Sequence, residues 1–241
     1  MKLVKKSLLA LATAAAMATP AFAALNNVGG VMWDPAAGAD FTGTSARATQ
    51  FINGMTGEAT GYATVTTING LNAFCAGCEL TIEFKSFFPL APLGVVTPYG
   101  GGVVNFYVQA GNNSAGGTST NVGDYTDGTL WLSLVGHAFG GPGGLQTLTA
   151  INLFPTGLSG IGQLDVTGGL AQTALNTNTM VNGSDMTFSN SFTNFPTNTP
   201  LFAQGTFNFT GDSVQVPEPG SLALLGLGLV GLAAARRRKA A

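Results

Sequence analysis

Charged side chains are scarce in this chain, and the few cations are concentrated at its ends. Only 8% of the residues are charged. Seven of the nine lysines and arginines lie in the first six or the last six residues, whereas ten of the eleven acidic residues lie between positions 24 and 215. That central part keeps Arg47 and Lys85 as its cations and has a net charge of −8. Such a surface cannot neutralise a row of phosphates, so nucleic-acid binding is excluded and adhesion to anionic lipid headgroups is disfavoured.

Cysteine is also scarce, and its two copies form the motif Cys75-Ala-Gly-Cys78. In an exported protein the leading interpretation is a local disulfide. A redox-active dithiol needs a helix N-terminus beside its first cysteine, but here an alternating strand pattern follows directly. A zinc site needs about four ligands, and the motif together with the single histidine offers three. We therefore expect a disulfide that fixes a tight turn before a strand, and no metal or other cofactor.

Histidine occurs once, at position 137, which limits the catalytic chemistry. Nucleophilic hydrolases need a base near an exposed Ser or Cys and an acid that orients the base. No nucleophile-elbow spacing accompanies His137 in this chain. The favoured interpretation is a structural histidine in a loop or at a strand end.

Two pairs of acidic residues are candidates for paired-carboxylate chemistry. Asp124 and Asp127 offer two calcium ligands, but a calcium loop carries more oxygen ligands at alternating positions, so a hairpin turn is favoured. Glu79 and Glu83 share one strand face about 13 Å apart along the chain, which exceeds the usual carboxylate separation for glycoside hydrolysis. The sequence thus predicts no catalytic residue and a protein that is not an enzyme.

The apolar residues between the two ends recur with a period of two, and helical periodicity is not convincing there. Leu80, Ile82 and Phe84 alternate with polar residues, as half-buried strands do. The predicted strands are residues 62–68, 79–84, 103–109, 130–134, 147–154, 162–167, 186–189 and 205–210. This pattern predicts an all-β fold: one antiparallel β-sandwich or jelly-roll-like domain over residues 24–215.

The connections between these strands carry turn residues. Asn69-Gly70, Asp127-Gly128 and Asn182-Gly183 are predicted hairpin turns, because Asn, Asp and Gly accept the positive φ that tight turns need. Residues 111–123 and 139–144 are predicted mobile loops.

Exposed aromatic side chains are the usual platform for sugar rings. The candidates are Trp33, Tyr99, Tyr107, Tyr125 and Trp131. Burial is favoured for Trp131, because it lies opposite the leucine face of its strand and tryptophan is highly buried on average.

The first 23 residues have the pattern of a secretory signal peptide. Three lysines in the first six residues form a basic segment, residues 7–17 are apolar, and Ala21-Phe22-Ala23 is a small-x-small cleavage site. The sequence therefore predicts export and a mature chain that begins near Ala24.

Residues 216–241 consist of three parts. Val216-Pro217-Glu218-Pro219-Gly220 is a turn-forming motif, residues 221–235 carry no charge, and a basic cluster follows at Arg236, Arg237, Arg238 and Lys239. Fifteen uncharged residues give about 22 Å of helix, against a hydrocarbon core of about 30 Å. This order is typical of a short helix that enters the membrane from outside and stops with its cations in the cytoplasm.

This tripartite ending closely resembles the PEP-CTERM sorting signal of exopolysaccharide-producing Gram-negative bacteria. The resemblance implies that an exosortase, a membrane-embedded transpeptidase-like protease, cuts near the Pro-Glu-Pro and releases or transfers the protein to the cell exterior. The expected partners are the exosortase, signal peptidase and, before cleavage, the inner membrane. Residues 29–35 and 74–80 resemble segments of other uncharacterised PEP-CTERM proteins, and this second resemblance implies no activity.

The sequence as a whole predicts an exported protein of the cell surface or extracellular matrix. Its expected role is structural or adhesive in a biofilm, with exopolysaccharide as a candidate partner. Two alternatives stay open: an exported enzyme that acts on polysaccharide, and an integral inner-membrane protein held permanently by its C-terminal helix.

Overall fold

Antiparallel strands form most of the described chain. The computed structural model describes residues 25–35, 40–153, 157–194 and 201–214. The strands are β1 (Asn26–Val28), β2 (Val31–Trp33), β3 (Phe41–Ile52), β4 (Ala59–Ile68), β5 (Cys78–Pro89), β6 (Val96–Ala110), β7 (Thr129–Gly136), β8 (Gln146–Leu153), β9 (Gly157–Gly168), β10 (Met186–Asn194) and β11 (Leu201–Gly211). Within the same ranges, the helical segments are α1 (Gln172–Leu175) and the short 3-10 turns Val122–Tyr125, Pro142–Gly144 and Val181–Gly183.

The nine longer strands form one antiparallel sheet that closes on itself. Their order is β10-β11-β3-β4-β5-β6-β7-β9-β8, and an additional pairing between β9 and β10 closes the sheet. Strands β7 and β8 share one position, because β6 pairs with β8 along residues 96–100 and with β7 along residues 103–108. Gly101 and Gly102 have positive φ at this change of partner, a backbone conformation that favours glycine.

Phenylalanine rings pack against each other across the interior of the closed sheet. The ring centroids of Phe84 in β5 and Phe207 in β11 lie 5.9 Å apart, and those of Phe106 in β6 and Phe209 in β11 lie 5.0 Å apart. These strands are not neighbours in the sheet, so both contacts cross its interior. The predicted all-β class is confirmed, and the strands form one large antiparallel sheet that closes on itself.

One end of the interior is filled by Trp33, Phe41 and Trp131. Their ring centroids lie between 5.3 and 5.9 Å apart. Each indole N–H has an acceptor, because Trp33 donates to the hydroxyl of Ser213 at 2.8 Å and Trp131 donates to the carbonyl of Val28 at 2.8 Å. These contacts attach the small β1–β2 hairpin to the large sheet.

Four phenylalanine rings lie directly on glycines of neighbouring strands. The pairs are Phe209 on Gly43, Phe188 on Gly162, Phe84 on Gly61 and Phe87 on Gly102. A methyl group at any of these glycines would overlap the ring of its partner. The packing of these rings in the interior therefore depends on glycine in the neighbouring strand.

The predicted strands are confirmed, since each overlaps one of the strands from β4 to β11; Phe154, the last residue of the predicted strand 147–154, lies outside the described residues. The turn at Asn69-Gly70 is also confirmed, with φ values of 52° and 75° and paired hydrogen bonds between Ile68 and Leu71. Asn182-Gly183 has positive φ at both residues, but it lies in a 3-10 turn inside the long connection between β9 and β10, so the predicted hairpin turn is wrong there. Strands β1, β2 and β3 were not predicted.

The prediction of a hairpin turn at Asp127-Gly128 is wrong. Neither residue has a positive φ, and the dipeptide lies at the end of the long connection between β6 and β7. Gly128 lies close to the backbone of Val108, because a methyl group there would come within 2.6 Å of the Val108 carbonyl oxygen. Glycine is therefore required at position 128 because two backbone segments approach each other closely there, and not because of a tight turn.

A β-bulge in β7 changes the predicted pattern of its leucines. Phe106 pairs with Leu132 and Tyr107 pairs with Leu130, so Trp131 is an extra residue on its strand. Trp131 is completely buried, as favoured from the sequence, while Leu130 is exposed. The predicted leucine face is therefore correct only for Leu132 and Leu134.

The connection between β6 and β7 covers the outer surface of β4 and β5. The buried carboxylate of Glu79 in β5 accepts hydrogen bonds from the backbone N–H groups of Asn113 and Ser114 at 2.6 and 3.0 Å, and from the Ser114 hydroxyl at 2.6 Å. The Gln109 amide donates to the same carboxylate. The prediction of a mobile loop did not anticipate this buried anchor.

Tyr125 is the aromatic centre of this outer layer. Its ring lies 4.2 Å from the ring of Tyr62, measured between centroids, and its hydroxyl donates to the carbonyl of Ser119 at 3.0 Å. Burial raises the pKa of Tyr125 to about 12, with smaller contributions from Tyr62, Asp124 and Glu79. The fold therefore disfavours the ionised phenol.

We predict that Gly43→Ala lowers the free energy of unfolding by about 1–3 kcal/mol, because the new methyl group overpacks the Phe209 ring. Gly54→Ala is the matched control: nothing lies within 4 Å of a methyl group there, and the expected change is within about 0.5 kcal/mol. Urea unfolding measures both. Adding Phe209→Leu to Gly43→Ala should recover part of the lost free energy of unfolding. If Gly43→Ala and Gly54→Ala have equal effects, the predicted overlap with the Phe209 ring is contradicted.

We also predict that the Tyr125 phenol makes stability fall as the pH rises. The phenol ionises near pH 10.0 in the unfolded chain and near pH 12 in the folded protein, so its contribution is complete below pH 10.0 and is lost toward pH 12. In Tyr125→Phe this loss, on the order of 2 kcal/mol, should be absent. Urea unfolding at several pH values measures it. The other tyrosines are common to both proteins, so parallel curves would refute the assignment.

Candidate functional site

The end of the described chain is fixed to the folded body, the part of the chain between the two predicted signals (residues 24–215). After β11, the backbone N–H of Ser213 donates to one carboxylate oxygen of Asp40 at 2.6 Å, and its hydroxyl donates to the other at 3.0 Å. Burial raises the pKa of the Asp40 carboxyl, and the hydrogen bonds from Ser213 act against that rise. The last residues before the predicted sorting tail are therefore part of the packed structure.

The first and last described segments lie side by side. The side-chain amide of Asn26 in β1 donates to the carbonyl of Val214 at 3.0 Å, and the N–H of Val214 donates to the carbonyl of Ala174 at 2.8 Å. The predicted signal peptide and the predicted sorting tail therefore connect to the same end of the domain.

All of the predicted processing residues lie outside the described residues. These are the cleavage site at Ala21, Ala23 and Ala24, the motif residues Val216, Pro217, Glu218, Pro219 and Gly220, the apolar segment 221–235 and the cluster Arg236, Arg237, Arg238 and Lys239. Among the described residues, no helix has the length and apolar character needed to span a membrane.

The predicted disulfide between Cys75 and Cys78 is present, with 5.2 Å between the Cα atoms. Strand β5 begins at Cys78, so a strand rather than a helix follows the motif. Cys75 also pairs with Val31 of β2, and the N–H of Met32 donates to the carbonyl of Phe74 at 2.7 Å. The disulfide thus fixes a turn that joins the β1–β2 hairpin to the large sheet.

The acidic candidates are engaged in hydrogen bonds. Glu83 pairs with Lys85 at 2.8 Å, whereas Glu79 holds the outer layer described above. Asp124 accepts the side-chain amide of Asn121 at 2.7 Å, and Asp127 accepts that of Asn113 at 3.1 Å. Among the described residues, no three His, Cys, Asp or Glu side chains are grouped to hold a metal ion.

His137 lies directly after β7, at a strand end as predicted. Its Nδ1 lies 2.8 and 2.9 Å from the two carboxylate oxygens of Asp165, and its Nε2 lies 3.1 Å from the carbonyl oxygen of Asn182. Both ring nitrogens therefore have partners in the neighbouring segments, and the side chain connects three parts of the chain.

The five aromatic candidates, all of which are described, do not form an exposed platform for sugars. Trp33, Tyr99, Tyr125 and Trp131 are each at most 3% exposed. Tyr107 is partly buried, with its hydroxyl near the carboxylate of Glu83. The sequence could not distinguish these core and outer-layer rings from surface rings, because burial depends on the partner strands.

An interior cavity of about 30 Å³ lies among Phe84, Phe87, Phe188, Tyr99 and Gln50. Gln50 is 7% exposed, and within the described residues its side-chain amide has no hydrogen-bond partner. This volume holds two or three water molecules. It is therefore too small for a sugar ring.

A polar groove lies on the outside of the sheet and was missed from the sequence. It has a volume of about 540 Å³ and is formed by β3, β11 and the β6–β7 connection. Its lining residues are Arg47, Ala48, Thr49, Gly117, Thr118, Gln204, Gly205 and Thr206. The groove contains Arg47, one of the two cations between residues 24 and 215. The scarcity of cations was the signal in the sequence that could have pointed to Arg47.

Comparison with known proteins identifies the C-terminal segment. No curated protein and no solved structure matches the chain. Residues 215–239 match the family model described as the PEP-CTERM protein-sorting motif. The match covers the predicted motif and basic cluster and begins directly after the anchored Val214. This chain therefore ends in a PEP-CTERM protein-sorting motif, which implies exosortase processing, export and sorting to the cell surface.

Proposed function

We propose that this chain is a structural or adhesive protein of the extracellular polysaccharide matrix. The sorting motif at residues 215–239 is the observation that carries the proposal. In this scheme, signal peptidase removes residues 1–23, the tail holds the protein in the inner membrane of a Gram-negative cell, and exosortase cleavage near Pro217 delivers the body to the surface or matrix.

The position of the motif supports cleavage close to the folded domain. Val214 is hydrogen-bonded to Ala174, and Pro217 is three residues further along the chain. Three extended residues span about 10 Å. The folded body therefore stays near the membrane until the tail is cut, and the cleaved protein keeps almost no linker.

The architecture of the folded body is suited to an extracellular protein. The long described strands have partners on both sides, because the sheet is closed. Unpaired sheet edges promote aggregation, so closure protects a protein that is crowded into a matrix. The disulfide between Cys75 and Cys78 is typical of an oxidising compartment.

We predict that protein recovered from the matrix has lost the first 23 residues and everything beyond about Pro217. Intact mass measured on the cell-associated and matrix fractions tests this. Retention of Arg236 to Lys239 in all mature material would contradict matrix delivery and would favour the permanent membrane anchor.

A variant pair isolates the motif. Replacing Pro217, Glu218 and Pro219 by alanine should leave the tail uncleaved and shift the protein to the membrane fraction. Val214→Ala is the control, because the hydrogen bonds of Val214 use backbone atoms and its side chain is 48% exposed. Activity of the purified protein on a polysaccharide panel would instead favour the enzyme alternative.

A further inference from the structure

The outer groove has features of a built binding site. Its volume of about 540 Å³ lies within the range of small-molecule sites. Its polar lining comes from three separate parts of the chain: Arg47 in β3, Thr118 in the β6–β7 connection, and Gln204 and Thr206 in β11. Hydroxyl and amide side chains of this kind form hydrogen bonds with sugar hydroxyls.

Two strand irregularities coincide at the groove. The pairing of β3 with β4 shifts register between Ser45 and Arg47, and the pairing of β11 with β3 shifts between Gly205 and Phe207. At the resumed pairing of Phe207 with Ser45, the Phe207 N–H donates to the Ser45 hydroxyl at 3.0 Å. Bulges redirect side chains and are frequent beside functional sites. Here they place Arg47 and Thr206 in the same groove.

The β6–β7 connection rests on the aliphatic part of Arg47. Gly117 has a φ of 86°, and a methyl group there would come within 2.7 Å of the Arg47 Cβ atom. The connection is held in this position by the buried Ser114, which bonds to Glu79 and, at 2.7 Å, to the Thr64 hydroxyl. The groove wall is therefore packed against the stem of Arg47.

The two cations of the body differ in their partners. Lys85 forms an ion pair with Glu83 at 2.8 Å. Arg47 has an exposed side chain, and among the residues that the structure describes it makes no ion pair or side-chain hydrogen bond. A guanidinium group binds a carboxylate through two parallel hydrogen bonds. An unpaired arginine in a body with ten acidic residues is therefore available for an external anion.

We propose that this groove binds a carboxylate-bearing sugar unit of an acidic polysaccharide. The Arg47 guanidinium receives the carboxylate, and Thr118, Gln204 and Thr206 form hydrogen bonds with neighbouring hydroxyl groups. This inference rests on the proposed matrix function and deepens it, because it names the class of polymer that the protein contacts. The net negative charge of the rest of the body repels such a polymer elsewhere, which confines binding to the groove.

Calorimetric titration of the purified protein with galacturonate oligomers tests the proposal. Arg47→Gln should weaken binding by about tenfold or more, because it removes a charge-assisted bidentate contact. Lys85→Gln is the matched control: it changes the net charge by the same amount and should leave binding within about twofold. Arg47→Lys should give an intermediate affinity, because it keeps the charge and loses the planar fork. Thermal melting checks that each variant is folded.

The choice of ligands separates the possible sources of binding. Neutral galactan oligomers should bind much more weakly than galacturonate oligomers, since they lack the carboxylate. A polyglutamate peptide of similar length should also bind weakly, since it lacks the hydroxyl groups. If polyglutamate binds as tightly as the galacturonate oligomers, the groove recognises carboxylates without selectivity for sugars. If Arg47→Gln and Lys85→Gln lose the same amount of affinity, the effect is one of net charge alone. Either result overturns the proposal.

The outcome is independent of the sorting experiment. Processed protein recovered from the matrix, together with an absence of galacturonate binding, would refute the groove assignment and leave the proposed function in place. Galacturonate binding together with an uncleaved tail would refute matrix delivery and keep the binding site.

Discussion

The contact between phenylalanine rings and strand glycines determines how the interior of the closed sheet is packed. Rings such as Phe209 and Phe188 come from β11 and β10, and they fit inside the closed sheet because Gly43 and Gly162 lie opposite them. The same rings then reach across the interior and pack against β5 and β6. A larger residue at either glycine would overlap the ring of the paired phenylalanine and disturb these contacts across the interior.

This constraint explains which strands could be predicted. Strands β4 to β11 carry enough of their own apolar residues to show a period of two. Strand β3 does not, because several of its buried positions are Gly43, Ser45 and Ala48. The volume at these positions is supplied by rings from a strand more than 150 residues later, and a local pattern cannot contain that information. The bulge that buries Trp131 is likewise a property of the pairing between β6 and β7.

The sorting motif at the C-terminus could be predicted from the sequence, whereas the groove around Arg47 could not. The C-terminal motif is a linear signal, so its residues can be read directly, and the family comparison finds it at the predicted place. The groove around Arg47 is assembled from β3, β11 and the β6–β7 connection, which are distant in sequence. Counting charges identified Arg47 as one of two cations in the body. Its neighbours in the groove could not be predicted, because the register shifts of β3 and the anchoring of Ser114 by Glu79 are properties of the folded chain.

Because cations are scarce in this chain, its buried carboxylates have hydrogen-bond partners other than lysine and arginine. Buried carboxylates in this body are stabilised by backbone N–H groups: Asp40 by that of Ser213, and Glu79 by those of Asn113 and Ser114. Asp185, which is 2% exposed, accepts three such bonds at 2.6–2.7 Å. Several backbone N–H groups together satisfy the hydrogen-bonding capacity of a buried carboxylate without a cationic partner. Each of these carboxylates fixes a connection or chain end, and because none of them uses arginine, the folded body leaves its one groove-facing guanidinium open to an external ligand.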